Sequence, residues 1–508
     1  MSYARPGVYI SERLLPPAIT EGASADAAGA VCAPLEKGPE TVTKVSSWYE
    51  FTKYFGGYNE LYPATFQIGA FFQNGGRELY VKRILSASAT KATIDLVTAG
   101  TTVVATAQAK NAGTDGNNLR VKVEVGTVAS TYTLSVYQEG IAGTSTSVAD
   151  DVLLEKYDNV VFTPSTSVDY AITIVNAVSQ SIKLTIGAVP TGTIVPAVYP
   201  LATGSNGSAV TTTDYVDYKG GGGSVLADFE SIDRSFVLFY PGIHSLTVGS
   251  TNTVSVLYIA AQSWASTNDA FLVADTASGL TVTSAGSFAT GLSSTSNSAV
   301  YFPNVYMADP VGRSSQSLRL VGPSGAVAGL YLATDASVGV FKSPAGLGAS
   351  LKGVVATELA FTSANLDTMN SGDSPINPIR NITGSGFVVM GARTLLQDGT
   401  ANKYVNMRRS LIYIKRELKI RTEFALFENN DEKLWARINT ALGYFLNQYR
   451  NQGGLRGATA AQSYYVRCNA ENNTATSIEN GEVHIQVGVA LQYPAEFIVI
   501  DLSQKTLN

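Results

Sequence analysis

The sequence predicts a mixed α/β multidomain protein, on three observations. Its 508 residues suggest about three domains at roughly 150 residues each. Hydrophobic residues make up 45% and charged residues 15%, which fills globular cores and is too little charge for a disordered chain. Finally, segments with mixed helix and strand periodicity flank a long stretch dominated by Thr, Val and Ser.

Taken in order, residues 1–30 read as an N-terminal arm and linker. Val8, Tyr9 and Ile10 have strand character after Pro6, and residues 13–30 are rich in Pro, Ala and Gly. A short strand with no core of its own must pair with something else or fray. Residues 31–87 read as a compact α/β piece. Ser46 or Ser47 is placed to cap a helix beginning at Trp48, with Glu50 completing a capping box if Ser47 is the cap. A second helix over about 63–73 ends at Asn74-Gly75-Gly76, and a strand over 78–84 follows.

Residues 88–210 read as an all-β sandwich. The runs 118–125, 131–137, 168–175 and 182–186 are short, alternating and separated by turn residues. Thr and Val suit such a pleated, half-buried surface. Lys219 and the glycines 220–223 mark a flexible junction.

Residues 211–377 read as an α/β unit. The continuous apolar runs 236–240 and 270–275 are expected of strands covered on both faces, and the helix expected over about 251–266 joins them as a parallel pair. Residues 378–508 hold the clearest element, a helix over 431–452, capped by Asn429 or Asn430 and stopped by Gly453-Gly454. Leu434, Ile438, Leu442, Phe445 and Tyr449 lie on one stripe, and Lys433, Arg437, Thr440 and Asn447 on another. Val483, Ile485, Val487, Val489 and Leu491 alternate as in a strand with one buried face. Pro494 interrupts, and Phe497 and Val499 resume the pattern.

Little in the chain points to chemistry. The net charge of −5 argues against a dedicated nucleic-acid binder. The chain has two histidines. His244 follows a parallel-type strand, where α/β folds place ligands, yet no Gly-x-Ser-x-Gly elbow accompanies it. It reads as a loop histidine, and His484 as a solvated one. The glycines 220–223 are not followed by Gly-Lys-Ser/Thr, and no metal-ligand spacing is present. No catalytic residue, metal or cofactor is expected. Cys32 and Cys468 read as buried free thiols, with a bridge between them left open. No run reaches the ~18 apolar residues that span a bilayer and no secretory signal is evident, so no membrane insertion is expected. The basic cluster Arg408, Arg409, Lys415, Arg416, Lys419 and Arg421 reads as a helix face meeting an acidic neighbour or solvent rather than nucleic acid.

Several segments, in order, resemble the contractile phage tail sheath family. Pro6-Gly7-Val8-Tyr9-Ile10 is similar to its N-terminal arm, and Phe71-Phe72-Gln73-Asn74-Gly75-Gly76 with Tyr80-Val81-Lys82-Arg83 to its first core segment. Tyr306-Met307-Ala308-Asp309-Pro310, residues 322–329, residues 339–346 and Asn377-Pro378-Ile379-Arg380 continue the likeness. So do residues 404–409, Phe427-Glu428-Asn429-Asn430-Asp431-Glu432, Val466-Arg467-Cys468-Asn469 and Pro494-Ala495-Glu496-Phe497. The resemblance implies a central subtilisin-like α/β domain without a working triad, a β-sandwich insertion facing outward, and extended terminal strand arms. Residues 31–87 would join 378–508 as an inner α+β polymerisation domain. It further implies stacked hexameric rings forming a helical sheath, with tail tube, baseplate and tail terminator proteins as partners, in a virion assembled in the host cytoplasm. Val8, Tyr9, Ile10, Phe497 and Val499 would be inter-subunit arms, with Val483, Ile485 and Val487 in the receiving sheet. Lys433 and Arg437 are candidates to touch an acidic tube, unless their helix serves only to pack the core. A sheath of a related contractile injection system, a subtilisin-like hydrolase and a cell-surface β-adhesin remain the alternatives.

Overall fold

The computed structural model describes residues 27–139, 148, 150–164, 168–188, 191–221, 223–243, 251–312, 314, 317–370, 375–396 and 398–496. Val8, Tyr9, Ile10, His244, Phe497 and Val499 lie outside the described residues. The chain opens with β1 (Ala28–Pro34), β2 (Thr43–Val45), α1 (Trp48–Phe55), α2 (Ala64–Gln73) and β3 (Leu79–Ile84). There follow β4 (Thr93–Val97), β5 (Val103–Ala109), β6 (Leu119–Val125), β7 (Tyr132–Gln138), β8 (Val152–Val160), α3 (Ala171–Val178), β9 (Ile182–Ile186) and β10 (Ala197–Pro200). Next come α4 (Thr212–Val216), β11 (Phe236–Phe239), α5 (Thr251–Thr267), β12 (Phe271–Asp275), α6 (Val282–Thr290), β13 (Ser298–Phe302), β14 (Val305–Ala308), β15 (Leu318–Val321), α7 (Ser324–Ser337), β16 (Val354–Thr357), α8 (Ser363–Asn370), β17 (Ile376–Ile382) and β18 (Gly386–Val389). The last group is α9 (Val405–Thr422), α10 (Glu432–Asn451), α11 (Ala460–Ser463), β19 (Tyr464–Arg467), α12 (Ala475–Glu479) and β20 (Gln486–Val489).

An eight-stranded sheet in the order β18-β17-β13-β12-β11-β1-β3-β2 is the backbone of the fold. Its inner six strands run parallel, and the two outermost pair antiparallel. Every residue of β11, β12 and β13 is buried, as continuous apolar strands covered on both faces must be. Alternate side chains face opposite layers. Val31, Phe239, Val273 and Tyr301 meet α2 and α7, whereas Cys32, Leu238, Leu272 and Val300 meet α5 and α6.

Residues 31–87 share this sheet with residues 236–302 and with β17 and β18 of the C-terminal part, and β1 lies between β3 and β11, in register with both. The reason is that β1 is apolar on both faces and can be satisfied only inside a covered sheet. The expected boundary at 377 falls inside β17, which supplies a strand to the same sheet.

α7 lies on α2 with almost no space between their backbones. A Cβ added at Gly325 would sit 2.2 Å from the Gln67 carbonyl oxygen, and one at Gly329 would sit 2.3 Å from that of Phe71. Two glycines one helical turn apart thus meet two carbonyls one turn apart.

Between β3 and α4 the chain builds two further sheets, β10-β6-β7-β8 and β4-β5-β9, over one shared core that includes Leu96, Val121, Leu134, Val136 and Leu184. The segment 168–175, expected to be a strand, is mostly α3. Ala171 and Val175, four apart, bury against that core, and the Asn176 amide bonds both backbone groups of Leu184 at 2.8 and 2.9 Å. That anchoring overrides the strand preference of its β-branched residues. Tyr218 N–H donates to the Gly223 carbonyl at 2.8 Å, and the Lys219 ammonium pairs with Glu40.

The chain enters and leaves this β-rich unit side by side, through bridges Thr90–Ser205 and Thr93–Ala202. Arg83, fully buried, locks the joint. Its guanidinium donates to the carbonyls of Leu35 (3.0 Å), Glu36 (2.9 Å), Gly38 (3.1 Å) and Ala112 (2.7 Å), and to the Asn206 side chain (3.4 Å).

Candidate polymer interface

The C-terminal region is built on α9, α10 and the two-stranded sheet β19–β20. α10 forms because an apolar stripe recurs at helical spacing between a cap and a stop. Leu434, Ile438, Leu442, Phe445 and Tyr449 are all buried, as the periodicity requires, and Trp435 and Leu446 join them. The cap is Asp431, whose carboxylate accepts from Leu434 N–H at 2.8 Å, and not Asn429 or Asn430. Asn430 is occupied elsewhere: its carbonyl oxygen accepts from the Trp435 indole at 2.8 Å and its amide donates to the Glu482 carbonyl at 2.9 Å. At the other end, Gly453 at φ +94° turns the chain left-handed. Its N–H donates to Arg450 and that of Gly454 to Tyr449, both at 2.9 Å, which closes the helix in a Schellman motif.

Lys433 and Arg437 are exposed on the opposite face, and the Arg437 guanidinium lies 4.4 Å over the Phe424 ring. Thr440 and Tyr444 extend this stripe, with Tyr444 63% exposed, whereas Asn447 is half-buried and accepts from Arg450. Sequence periodicity did not single out Tyr444, although its place four residues after Thr440 puts it on that face.

The basic cluster of α9 meets acidic neighbours of the same chain. Arg409 and Asp335 form a buried pair, with the guanidinium 4.7 Å over the Tyr331 ring. Lys415 reaches Asp269 at 2.9 Å, and Arg416 and Lys419 both reach Asp233 at 3.0 Å. Arg421 pairs with Glu417 along the helix. The buried Arg409–Asp335 pair is therefore what ties α9 to α7, while the lysine pairs lie at the surface.

In β19–β20, Tyr464 pairs with Val489 and Arg467 with Gln486. The regular strand β20 is shorter than the alternation suggested. Val483 and Ile485 precede it and pack on the α10 core, as does Val487, while Leu491 is buried under α9. Their side chains back the sheet, so its ladder edges are what a further strand could use. Beyond β20, Arg393 grips Glu496 with two 2.8 Å bonds just before the final segment.

The hydrolase alternative meets a closed geometry. Ser324, first residue of α7, donates its hydroxyl to Asp275 at 2.6 Å and its N–H at 2.7 Å. Gln67 donates to the same carboxyl at 2.9 Å and accepts from Gly242 N–H at 2.6 Å. Asp275 is fully buried and Ser324 is 1% exposed, so this serine is not presented to a substrate. His484 is an exposed side chain 3.0 Å from Glu482. Cys32 and Cys468 are both free and buried, in separate cores.

Asp275 carries a pH prediction. Burial pushes its carboxyl up to about 7 from an ordinary 3.8, and the donors on Ser324 and Gln67 pull it back only in part. The facing group from α5 is Tyr258, whose hydroxyl accepts Asp275 N–H at 3.0 Å. Between about pH 4 and 7 the unfolded chain has lost this proton and the folded chain keeps it. Stability therefore falls as pH rises through that window, by on the order of 4 kcal/mol in all. Glu40, Glu78 and Glu155, which burial raises but their hydrogen-bond donors lower on balance, act only as pH falls below their ordinary 4.5. Urea midpoints for the wild type should drop across that range, and Asp275→Asn should flatten the slope. Equal slopes in both proteins would show that Asp275 is not the group responsible.

Comparison with known proteins agrees with this layout. The family model for the phage tail sheath C-terminal domain matches residues 397–505. The tail sheath protein of Vibrio phage KVP40 is 27% identical over 184 residues, which are 36% of this chain and 26% of that protein. The chain thus spans about a quarter of that curated relative's length. Among solved structures, the helical sheath of the anti-feeding prophage in its contracted state aligns over 99% of this chain and 100% of its own, with a TM-score of 0.57 at 21% identity. A sheath tail protein from Listeria innocua aligns over 92% of this chain and 96% of its own, with a TM-score of 0.62 at 14% identity. Residues 397–505 thus match the phage tail sheath C-terminal domain family, and the chain has the fold seen in the sheath of the anti-feeding prophage and in the Listeria innocua sheath tail protein.

Proposed function

We propose that this chain is a structural subunit of a contractile phage tail sheath, with no enzymatic role and no cofactor. Subunits polymerise as stacked hexameric rings around a tail tube and contract to drive it through the host envelope for genome ejection. The observation that carries this reading is the β19–β20 sheet inside the matched C-terminal domain. It has two strands among the described residues, so each offers a ladder edge to a strand from a neighbour. The segments around Val8-Tyr9-Ile10 and around Phe497 and Val499 are the proposed donors, and such head-to-tail contacts generate rings where the rotation closes and helices where it does not. Lys433 and Arg437 face the tube, with baseplate and tail terminator proteins at the ends of a sheath assembled in the host cytoplasm. The β-rich unit faces outward.

The full-length likeness to the anti-feeding prophage sheath favours a second reading, the sheath of a related injection system, with the same assembly and a different payload. Negative-stain microscopy of the purified chain tests the shared core of both. Rings or hollow helical tubes are expected, and dispersed monomers at high concentration would refute it. Removing residues 1–12 should abolish the polymers, and unchanged polymers would rule out the N-terminal arm.

A further inference from the structure

Between α9 and α10 the chain makes a tip that is costly in the isolated subunit. Phe427 is fully exposed, at 107% of its reference area, and stands at φ +62°. A bulky side chain in the left-handed region is strained, and an exposed aromatic ring forgoes its burial energy. Leu426 beside it is 69% exposed. Neither cost is repaid within the chain. Residues 423–432 around this apolar pair carry four carboxylates, Glu423, Glu428, Asp431 and Glu432, and no lysine or arginine. An apolar knob with a charged rim is the mark of a protein–protein contact.

The same chain carries a cleft of complementary character. A cavity of about 530 Å³ opens between α9 and the loop leading into β11. Phe229, Phe236, Ile232 and Trp264 give it an apolar floor, and Lys415 and Lys419 stand at its rim. Those lysines are 68% and 63% exposed and hold Asp269 and Asp233 in surface pairs, which are weak and readily exchanged. The cations lining the cleft are Arg234, Lys415, Arg416 and Lys419, against Glu230, Asp233 and Asp269, a balance of one positive charge.

We infer that Leu426 and Phe427 of one copy seat in this cleft of the next copy, with the acidic rim of the tip against Lys415 and Lys419. Phe427 is exposed in its own subunit, so the contact joins different patches on two copies, and such a contact repeated from copy to copy builds a ring where its rotation closes and a helix where it does not. The inference rests on the self-assembly proposed above and names one surface through which it acts.

Phe427→Gly removes the knob and relieves the φ strain. The variant should melt at the same temperature as the wild type or higher, yet need about tenfold more protein to polymerise, the size of a modest interface hot spot. Glu428→Lys and Lys419→Glu should each weaken assembly, and the double variant should regain it. A photoreactive phenylalanine analogue at 427 should cross-link to residues 229–236 or Trp264 of another copy. If the wild type polymerises and Phe427→Gly does so at an unchanged concentration, or if the cross-link maps to another surface, this docking is wrong and the sheath reading stands. If the wild type forms no polymer at any concentration, both fail.

Discussion

Arg83→Met should lower stability by about 4 kcal/mol or more and loosen the β-rich unit from the large sheet. Met matches the aliphatic stem of arginine and removes only the guanidinium. That group is the common donor to the carbonyls of Leu35, Glu36, Gly38 and Ala112. Each buried acceptor left without a donor costs about 1–3 kcal/mol, less where water can enter. Leu35, Glu36 and Gly38 follow β1, whereas Ala112 lies beyond β5, so the loss falls on the joint itself. The expected readout is a lower urea midpoint together with new protease cuts near residues 85–92 and 201–210. Arg83→Lys should recover little, since one ammonium cannot span four carbonyls in a fork. A midpoint within about 1 kcal/mol of the wild type would show that water satisfies these carbonyls equally well.

Gly329→Val is the second large effect, expected to cost about 3–5 kcal/mol. The added Cβ would meet the Phe71 carbonyl oxygen at 2.3 Å, and backbone cannot yield as a side-chain tip does. α2 and α7 would have to part, opening the packed layer that includes Phe71, Val327 and Tyr331. Gly329→Ala isolates the cause. In a free helix alanine is favoured over glycine by about 1 kcal/mol, so any loss of stability on this change is a lower bound on the clash. A Gly329→Ala protein as stable as the wild type would mean the helices can separate cheaply.

Parts of this structure are plain in the sequence because the signal is local. The apolar runs at 236–240 and 270–275, the stripe of α10 and its double-glycine stop each need only neighbours along the chain to be read. The placement of β1 and β3 is not local. β1 is placed by β11, which lies far along the chain, and an apolar strand does not announce which strand it will join. α3 misleads because Ile, Thr and Val favour strands, and only the contact with β9 makes it a helix. The cap of α10 misleads in another way. Asn429, Asn430 and Asp431 are all good caps, and the choice follows from Asn430 being held by Trp435 across the helix entrance. Within the proposed interface, Lys433 and Arg437 were legible as an exposed stripe. The exposure of Phe427 was not, since hydrophobicity alone would bury it.

The grip of Arg83 has a consequence for how the outer unit can change. It holds that unit by the backbone carbonyl of Ala112, a group every amino acid possesses, and the chain passes in and out through adjacent bridged strands. Between residues 93 and 201 the docking calls on few side chains: Asn117, which bonds both backbone groups of Gly204, and Thr114, which accepts from Asn206, with a glycine needed at 113 (φ +125°), where a Cβ would meet the Arg83 guanidinium. Mutations elsewhere in that span escape the constraints that bind the large sheet and the C-terminal region. The unit is in effect an interchangeable cassette: lineages can diversify it, and engineers can replace it with a cargo domain whose ends lie equally close, while the rest of the subunit keeps its contacts.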